Sequence, residues 1–109
     1  MFFFHSANIN DAVEECRNTS GAVLLDVREA DEFRSGHIPG AVNVPLSVID
    51  QVTLPKDRPI FIYCLRGTRS RRAVSRLTRM GYRNARSIGG IAAYKGPYVK
   101  PFFTGSAAV

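Results

Sequence analysis

The sequence predicts an α/β domain built on a small parallel sheet with helices on both faces. Two observations carry this. Residues 22–27 and 60–63 are short apolar runs, the first broken only by Asp26, and this is the pattern of strands buried on both faces. They alternate with amphipathic segments, as crossover connections between parallel strands require. At 109 residues the chain is expected to be one domain, 1–109.

The elements follow in order. Asn8 and Asn10 are candidate N-caps of a helix reaching about Arg17, with Ala12, Val13 and Cys16 on one face, and Ser20-Gly21 ends it. Strand 22–27 comes next, then a short helix over 30–35 closed by Gly36. His37-Ile38-Pro39-Gly40 is a turn, and 41–44 an extended piece stopped by Pro45. Ser47 is positioned to cap a short helix to Val52, and Pro59 precedes the strand 60–63. After a loop over 64–69, the spacing predicts a helix over 71–80. Its apolar face is Ala73, Val74, Leu77 and Met80; Arg72, Arg76 and Arg79 lie opposite, and Gly81 is the stop. A third strand is expected at 86–88, and Gly89-Gly90 opens a last short helix to Lys95.

Composition narrows the chemistry. Residues 1–57 carry four basic and nine acidic side chains; residues 58–109 carry eleven basic and none acidic, so the net +6 divides into −5 and +11. Carboxylate acid–base chemistry cannot be built within the second half, whereas an anion site can. Eight of the twelve arginines lie between Arg66 and Arg86, and arginine suits planar, bidentate anions. No apolar run is long enough to span a membrane, and the early acids Asp11, Glu14 and Glu15 argue against a signal peptide. Two cysteines are too few for a disulfide scaffold and point to a reducing compartment or to one working thiol; the expected localisation is cytoplasmic. His5 and His37 lack a second ligand at metal-like spacing, so no metal is expected. A phosphate-binding Lys-Ser or Lys-Thr loop, a dinucleotide fingerprint and a serine elbow are also missing, and no cofactor is expected.

Cys64 stands out by position. It ends the most apolar strand and precedes the strongest helix, where ligands of open α/β sheets sit. Backbone N–H groups at such a turn have no helical partners and point at an anion. Gly67 lets the loop curl into a nest, and Arg66 and Arg69 add positive charge. A thiol there ionises more easily than a free cysteine, so Cys64 reads as a nucleophile and not merely as a small buried hydrophobe. Cys16, on an apolar helix face, reads as packing.

These residues resemble the rhodanese-homology family. Leu24-Leu25-Asp26-Val27-Arg28-Glu29 through Phe33 matches its first motif. Gly36-His37-Ile38-Pro39-Gly40-Ala41-Val42-Asn43-Val44-Pro45 matches its second. The run from Cys64 to Arg69, closing with Gly89-Gly90-Ile91-Ala92-Ala93-Tyr94, matches the active loop and the signature after it. Together they span about residues 22–97, in the manner of single-domain members with a rhodanese-like fold.

The resemblance implies a sulfurtransferase of the thiosulfate type whose Cys64 carries a persulfide, with Leu65, Arg66, Gly67, Thr68, Arg69 and Ser70 forming the substrate-binding loop. Asp26 and Arg28 are expected to pair near the loop, and His37 to tie the backbone of its turn. Tyr94 supplies an aromatic wall where the family often has tryptophan. The implied partners are a small anionic sulfur donor and a thiol or cyanide acceptor, with a thiol-bearing protein as a further acceptor; no membrane is implied, and nucleic acid is disfavoured. Relatives that hydrolyse phosphate esters have five residues between cysteine and arginine. Here four, Leu65 to Thr68, separate Cys64 from Arg69, and Ser70 stands where the phosphatase arginine would be. The alternatives are a sulfur-relay carrier serving a protein, a phosphatase or arsenate reductase of the same fold, and a non-catalytic module that binds nucleic acid or an acidic protein through the arginine face.

Overall fold

Alternation along two central strands sets the architecture. In the computed structural model, which describes residues 8–101, β1 (Val23–Asp26) pairs in parallel with β3 (Ile60–Cys64), with Leu24 opposite Phe61 and Leu25 opposite Ile62. Leu24, Phe61 and Tyr63 point to one face and pack with Ile9, Ala12, Val13 and Cys16 of α1 (Ile9–Arg17). Leu25, Ile60, Ile62 and Cys64 point to the other and pack with Ala73 and Leu77 of α3 (Thr68–Arg79). With β2 (Val42–Asn43) and β4 (Ala85–Gly90) the described sheet has the order β2-β1-β3-β4, all parallel. Both faces are thus covered, as the continuous apolar runs require.

Several boundaries differ from the sequence expectation. Asn8 caps α1, its side-chain oxygen accepting the Asp11 N–H at 3.0 Å. Asn10 does not cap; it ties α1 to the far end of the chain, donating to the Ala93 carbonyl at 3.1 Å and accepting the Lys95 N–H at 2.7 Å. Ser47 is not a cap either: the 3₁₀ segment Leu46–Gln51 follows Pro45 and kinks at Val48. The short helix α2 (Ala30–Ser35) falls where expected, but Gly36 leaves it in an extended conformation, with Tyr98 packed where a Cβ would be.

Two corrections bear on the site. The helix α3 begins at Thr68, not at residue 71, because Gly67 takes a left-handed φ of 106° and turns the chain into the helix at once. Gly89 and Gly90 belong to β4, not to a last helix, and only a 3₁₀ turn, Ile91–Ala93, follows. The Phe-rich ends, Phe2 to Phe4 and Phe102 to Phe103, lie outside the described residues. Among the described residues no helix is long and apolar enough to cross a membrane.

One buried ion pair braces the carboxyl end of β1. Asp26 is fully buried, and its carboxylate accepts from the Arg28 Nε at 3.0 Å, from Nη2 at 2.8 Å and from the Arg28 backbone N–H at 2.9 Å. Arg28 Nη2 also donates to the Gly36 carbonyl at 2.6 Å, tying the end of α2 to the strand. Sequence proximity therefore becomes the pairing expected for Asp26 and Arg28. Removing one partner of a buried pair leaves an uncompensated charge, so Asp26→Ala is expected to cost about 3–5 kcal/mol in urea denaturation. A loss below about 1 kcal/mol would show that the pair does not hold this corner.

Candidate active site

The opening of α3 is aimed at Cys64. Its side chain is buried at the last position of β3, and its sulfur faces the opening of α3. The Gly67 N–H donates to Sγ at 3.0 Å and the Ser70 N–H at 3.4 Å, while the Ser70 hydroxyl lies 3.7 Å away. Burial alone would push the thiol pKa up. The N–H groups of Ser70, Gly67 and Arg66 and the Ser70 hydroxyl outweigh it and hold the thiol below its ordinary value. Cys16 shows the contrast: it is also a free, buried thiol, but in the α1-side core, where burial raises its pKa.

The cup keeps its shape because the loop is clamped from behind. The Leu65 carbonyl accepts the Ala92 N–H at 3.1 Å, and a Cβ on Gly90 would run into Leu65 O and Arg66 Cα. Only glycine fits there. Gly89, with φ 102°, lets β4 turn under the loop, and its Cα would lie 3.6 Å from a Cβ on Gly67. The glycine pair therefore has a spatial role: it lets the backbone of the thiol loop rest directly on the sheet.

Ser70 is fully buried and has one hydroxyl proton for three neighbours. They are the Gly67 carbonyl at 3.0 Å, the Ser87 hydroxyl at 2.6 Å and the Cys64 sulfur. The carbonyl can only accept, so Ser87 donates to Ser70 whenever Ser70 donates to Gly67 or to sulfur. Ser87 on β4 thus orients the hydroxyl nearest the thiol, a role not visible in the sequence.

The structure assigns the arginines of the loop different surroundings. Arg66 is exposed at the rim beside Leu65. Arg69 is engaged by Glu32 of α2, at 2.7 and 3.1 Å, a partner that sequence reasoning did not name. Thr68 is exposed as the first residue of α3. His37 donates its Nδ1–H to the Phe33 carbonyl at 2.9 Å and stacks on the Phe33 ring at 3.7 Å; its backbone pairs with Val99. Tyr94 is buried in the α1-side core with its ring 6.0 Å from that of Tyr98, whereas Cys64 packs in the α3-side core.

Comparisons with known proteins give the family and the fold. The model of the rhodanese-like domain matches residues 10–96, and the chain belongs to that family. A sulfurtransferase of Allochromatium vinosum is 36% identical over 80 residues, covering 71% of this chain and 75% of that protein. An adenylyltransferase and sulfurtransferase, UBA4, of Meyerozyma guilliermondii is 37% identical over 86 residues, covering 69% of this chain, and the chain spans only 20% of its length. A solved structure of a rhodanese with anions from E. coli superposes with a TM-score of 0.66 at 29% identity, covering 72% of this chain and 98% of that one. The family of sulfurtransferase relatives and the parallel α/β fold are thereby shown together.

The hydroxyl pair gives a direct test. Hydrogen bonds to a charged group contribute about 1.5–3 kcal/mol, so Ser70→Ala is expected to slow Cys64 alkylation at neutral pH by about tenfold or more. Its alkylation midpoint should move up, and Ser87→Ala should move it the same way by less. Alkylation profiles measured in the Cys16→Ser background check this; unmoved midpoints in both variants would contradict the arrangement.

Proposed function

We propose that the chain is a sulfurtransferase that carries sulfane sulfur on Cys64 as a persulfide. The convergence of the Gly67 and Ser70 N–H groups on the Cys64 sulfur is the observation that supports it most. The Cys64 thiolate attacks the outer sulfur of thiosulfate, that S–S bond breaks, and sulfite leaves with its electron pair. The product is a Cys64 persulfide whose terminal sulfur carries the negative charge.

Backbone donors in the loop hold the Cys64 thiolate before transfer and lie close enough to turn to the charge of the persulfide, as an oxyanion hole serves an alkoxide. In the second half-reaction, cyanide or a thiolate attacks the terminal sulfur. The bond to Cys64 breaks, the thiolate is regenerated, and thiocyanate or an acceptor persulfide departs. This is covalent catalysis by double displacement.

Exposed Arg66 attracts the anionic donor at the rim, while Arg69, held by Glu32, braces the start of α3. The small cup favours sulfur over phosphoryl chemistry. A three-residue loop, Leu65 to Gly67, leads directly into α3, and Ser70 occupies the space beside sulfur that a phosphatase would give to arginine.

Thiosulfate:cyanide turnover tests the reading. Cys64→Ser is expected to abolish it in a folded protein, and Cys16→Ser to keep it within about twofold, because Cys16 lies in the opposite core. Equal loss from both substitutions would overturn the assignment of Cys64.

A further inference from the structure

We propose that the outer face of α3 is a docking groove for an acidic, thiol-bearing protein segment that brings its thiol to Cys64. This rests on the sulfur-transfer reading and names the acceptor class of that same site. Thr68, Arg71, Arg72, Ser75, Arg76 and Arg79 line an open groove of about 440 Å³. At about 100° per residue, Thr68, Arg72, Ser75 and Arg79 fall within about 60° of one another on the helix. Arg71 and Arg76 flank them on either side. The small side chains of Thr68 and Ser75 leave space between the arginines. From Thr68 to Arg79 the helix rises about 16 Å, the length of about five residues of extended peptide.

The arginines are available and their placement is unfavourable for the helix alone. Among the described residues the ion pairs are Arg28–Asp26, Arg69–Glu32 and Arg86–Glu15, and none engages this groove. Arg76 donates to the Leu46 carbonyl at 3.3 Å, and Asp50 stands beside Arg76 and Arg79 at the far end without an ion pair. The first turn of α3 holds no acidic residue, and Arg71 and Arg72 follow it directly. Positive charge near a helix N-terminus opposes the macrodipole, so helix stability does not account for Arg71 and Arg72. An anionic ligand does, because it is attracted by the arginines and the dipole together.

The groove also leads to the reacting atom. Its N-terminal end is Thr68, next to Gly67, whose N–H holds the Cys64 sulfur. Cys64 is only 1% exposed, so an acceptor thiol has to be presented to it in a set direction, which a docked segment provides. Guanidinium groups pair with carboxylates in bidentate fashion. Among the described residues no aromatic side chain lines the groove, so they offer no stacking platform of the kind single-strand nucleic acid sites use, and a protein segment fits it better than RNA. In the transfer the acceptor thiolate attacks the terminal persulfide sulfur; the bond to Cys64 breaks, and the Cys64 thiolate and an acceptor persulfide result.

The test compares two cysteine peptides as acceptors from the persulfide form, one with four glutamates before the cysteine and one with four glutamines. At low ionic strength the glutamate peptide is expected to react with a kcat/KM about tenfold higher. Arg72→Gln/Arg79→Gln should remove that preference while leaving thiosulfate:cyanide turnover within about twofold. Fluorescence anisotropy of a labelled glutamate peptide, with no turnover involved, should show binding to the parent chain and loss in the double variant. Equal use of both peptides, unchanged binding in the variant, or displacement of the peptide by single-stranded RNA at lower charge concentration than by polyglutamate would each overturn the groove. Binding by the parent and not the variant, with no transfer to any acceptor, would support the groove and overturn the sulfur-transfer reading instead.

Discussion

Everything at the site depends on one close approach: the backbone of Leu65 and Arg66 lies against Gly90 with no room for a Cβ between them. That contact fixes how β3 hands over to α3. Because the loop is pressed onto the sheet and held by the Ala92 N–H, Gly67 must turn in the left-handed region, and α3 starts at Thr68. The helix opening then delivers the Gly67 and Ser70 N–H groups to the same sulfur. Thiol acidity thus arises from the packing of two backbone segments, more than from any single charged side chain.

Charge organises the surroundings at a second level. Arg69 sits in the first turn of α3, where a cation is unfavourable, and Glu32 offsets it from α2. Glu32 also accepts the Glu29 N–H at 2.9 Å, completing a capping box at the start of α2. One carboxylate therefore caps one helix and braces another, and its pKa is lowered chiefly by the hydrogen bond from Arg69. The buried Asp26–Arg28 pair secures the adjoining strand end. The ends of β1 and β3 are thus braced by ion pairs on the side where the thiol opens, while among the described residues no ion pair engages the outer face of α3.

The fold was legible wherever a local pattern was strong. The apolar runs of β1 and β3 and the apolar stripe of α3 are periodicities set by burial, and the structure has all three. Cys64 could be singled out because a strand, a glycine and a helix follow one another around it. What was not legible depended on contacts distant in sequence. Gly89-Gly90 reads locally as a helix opening, and only the loop lying on it makes it strand. Asn10 reads locally as a cap, and only the turn at Ala93 makes it a tether. The roles of Ser87 toward Ser70 and of Glu32 toward Arg69 carry no local signal, since those partners are 17 and 37 positions away.

The position of the thiol also separates what is built in from what is brought by a partner. The nest, the Ser70–Ser87 pair and the glycine clamp belong to the chain and act on any sulfur bound at Cys64. In the proposed reading, donor recognition falls to the rim at Arg66 and acceptor recognition to the outer face of α3, where arginines are concentrated. The central claim is that Cys64 holds a stable persulfide in this nest. Intact mass spectrometry after incubation with thiosulfate, followed by peptide mapping, tests it most directly. One added sulfur on the peptide containing Cys64, removed by cyanide and absent in Cys64→Ser, is the predicted result. No added mass, or sulfur found on the Cys16 peptide instead, would contradict it.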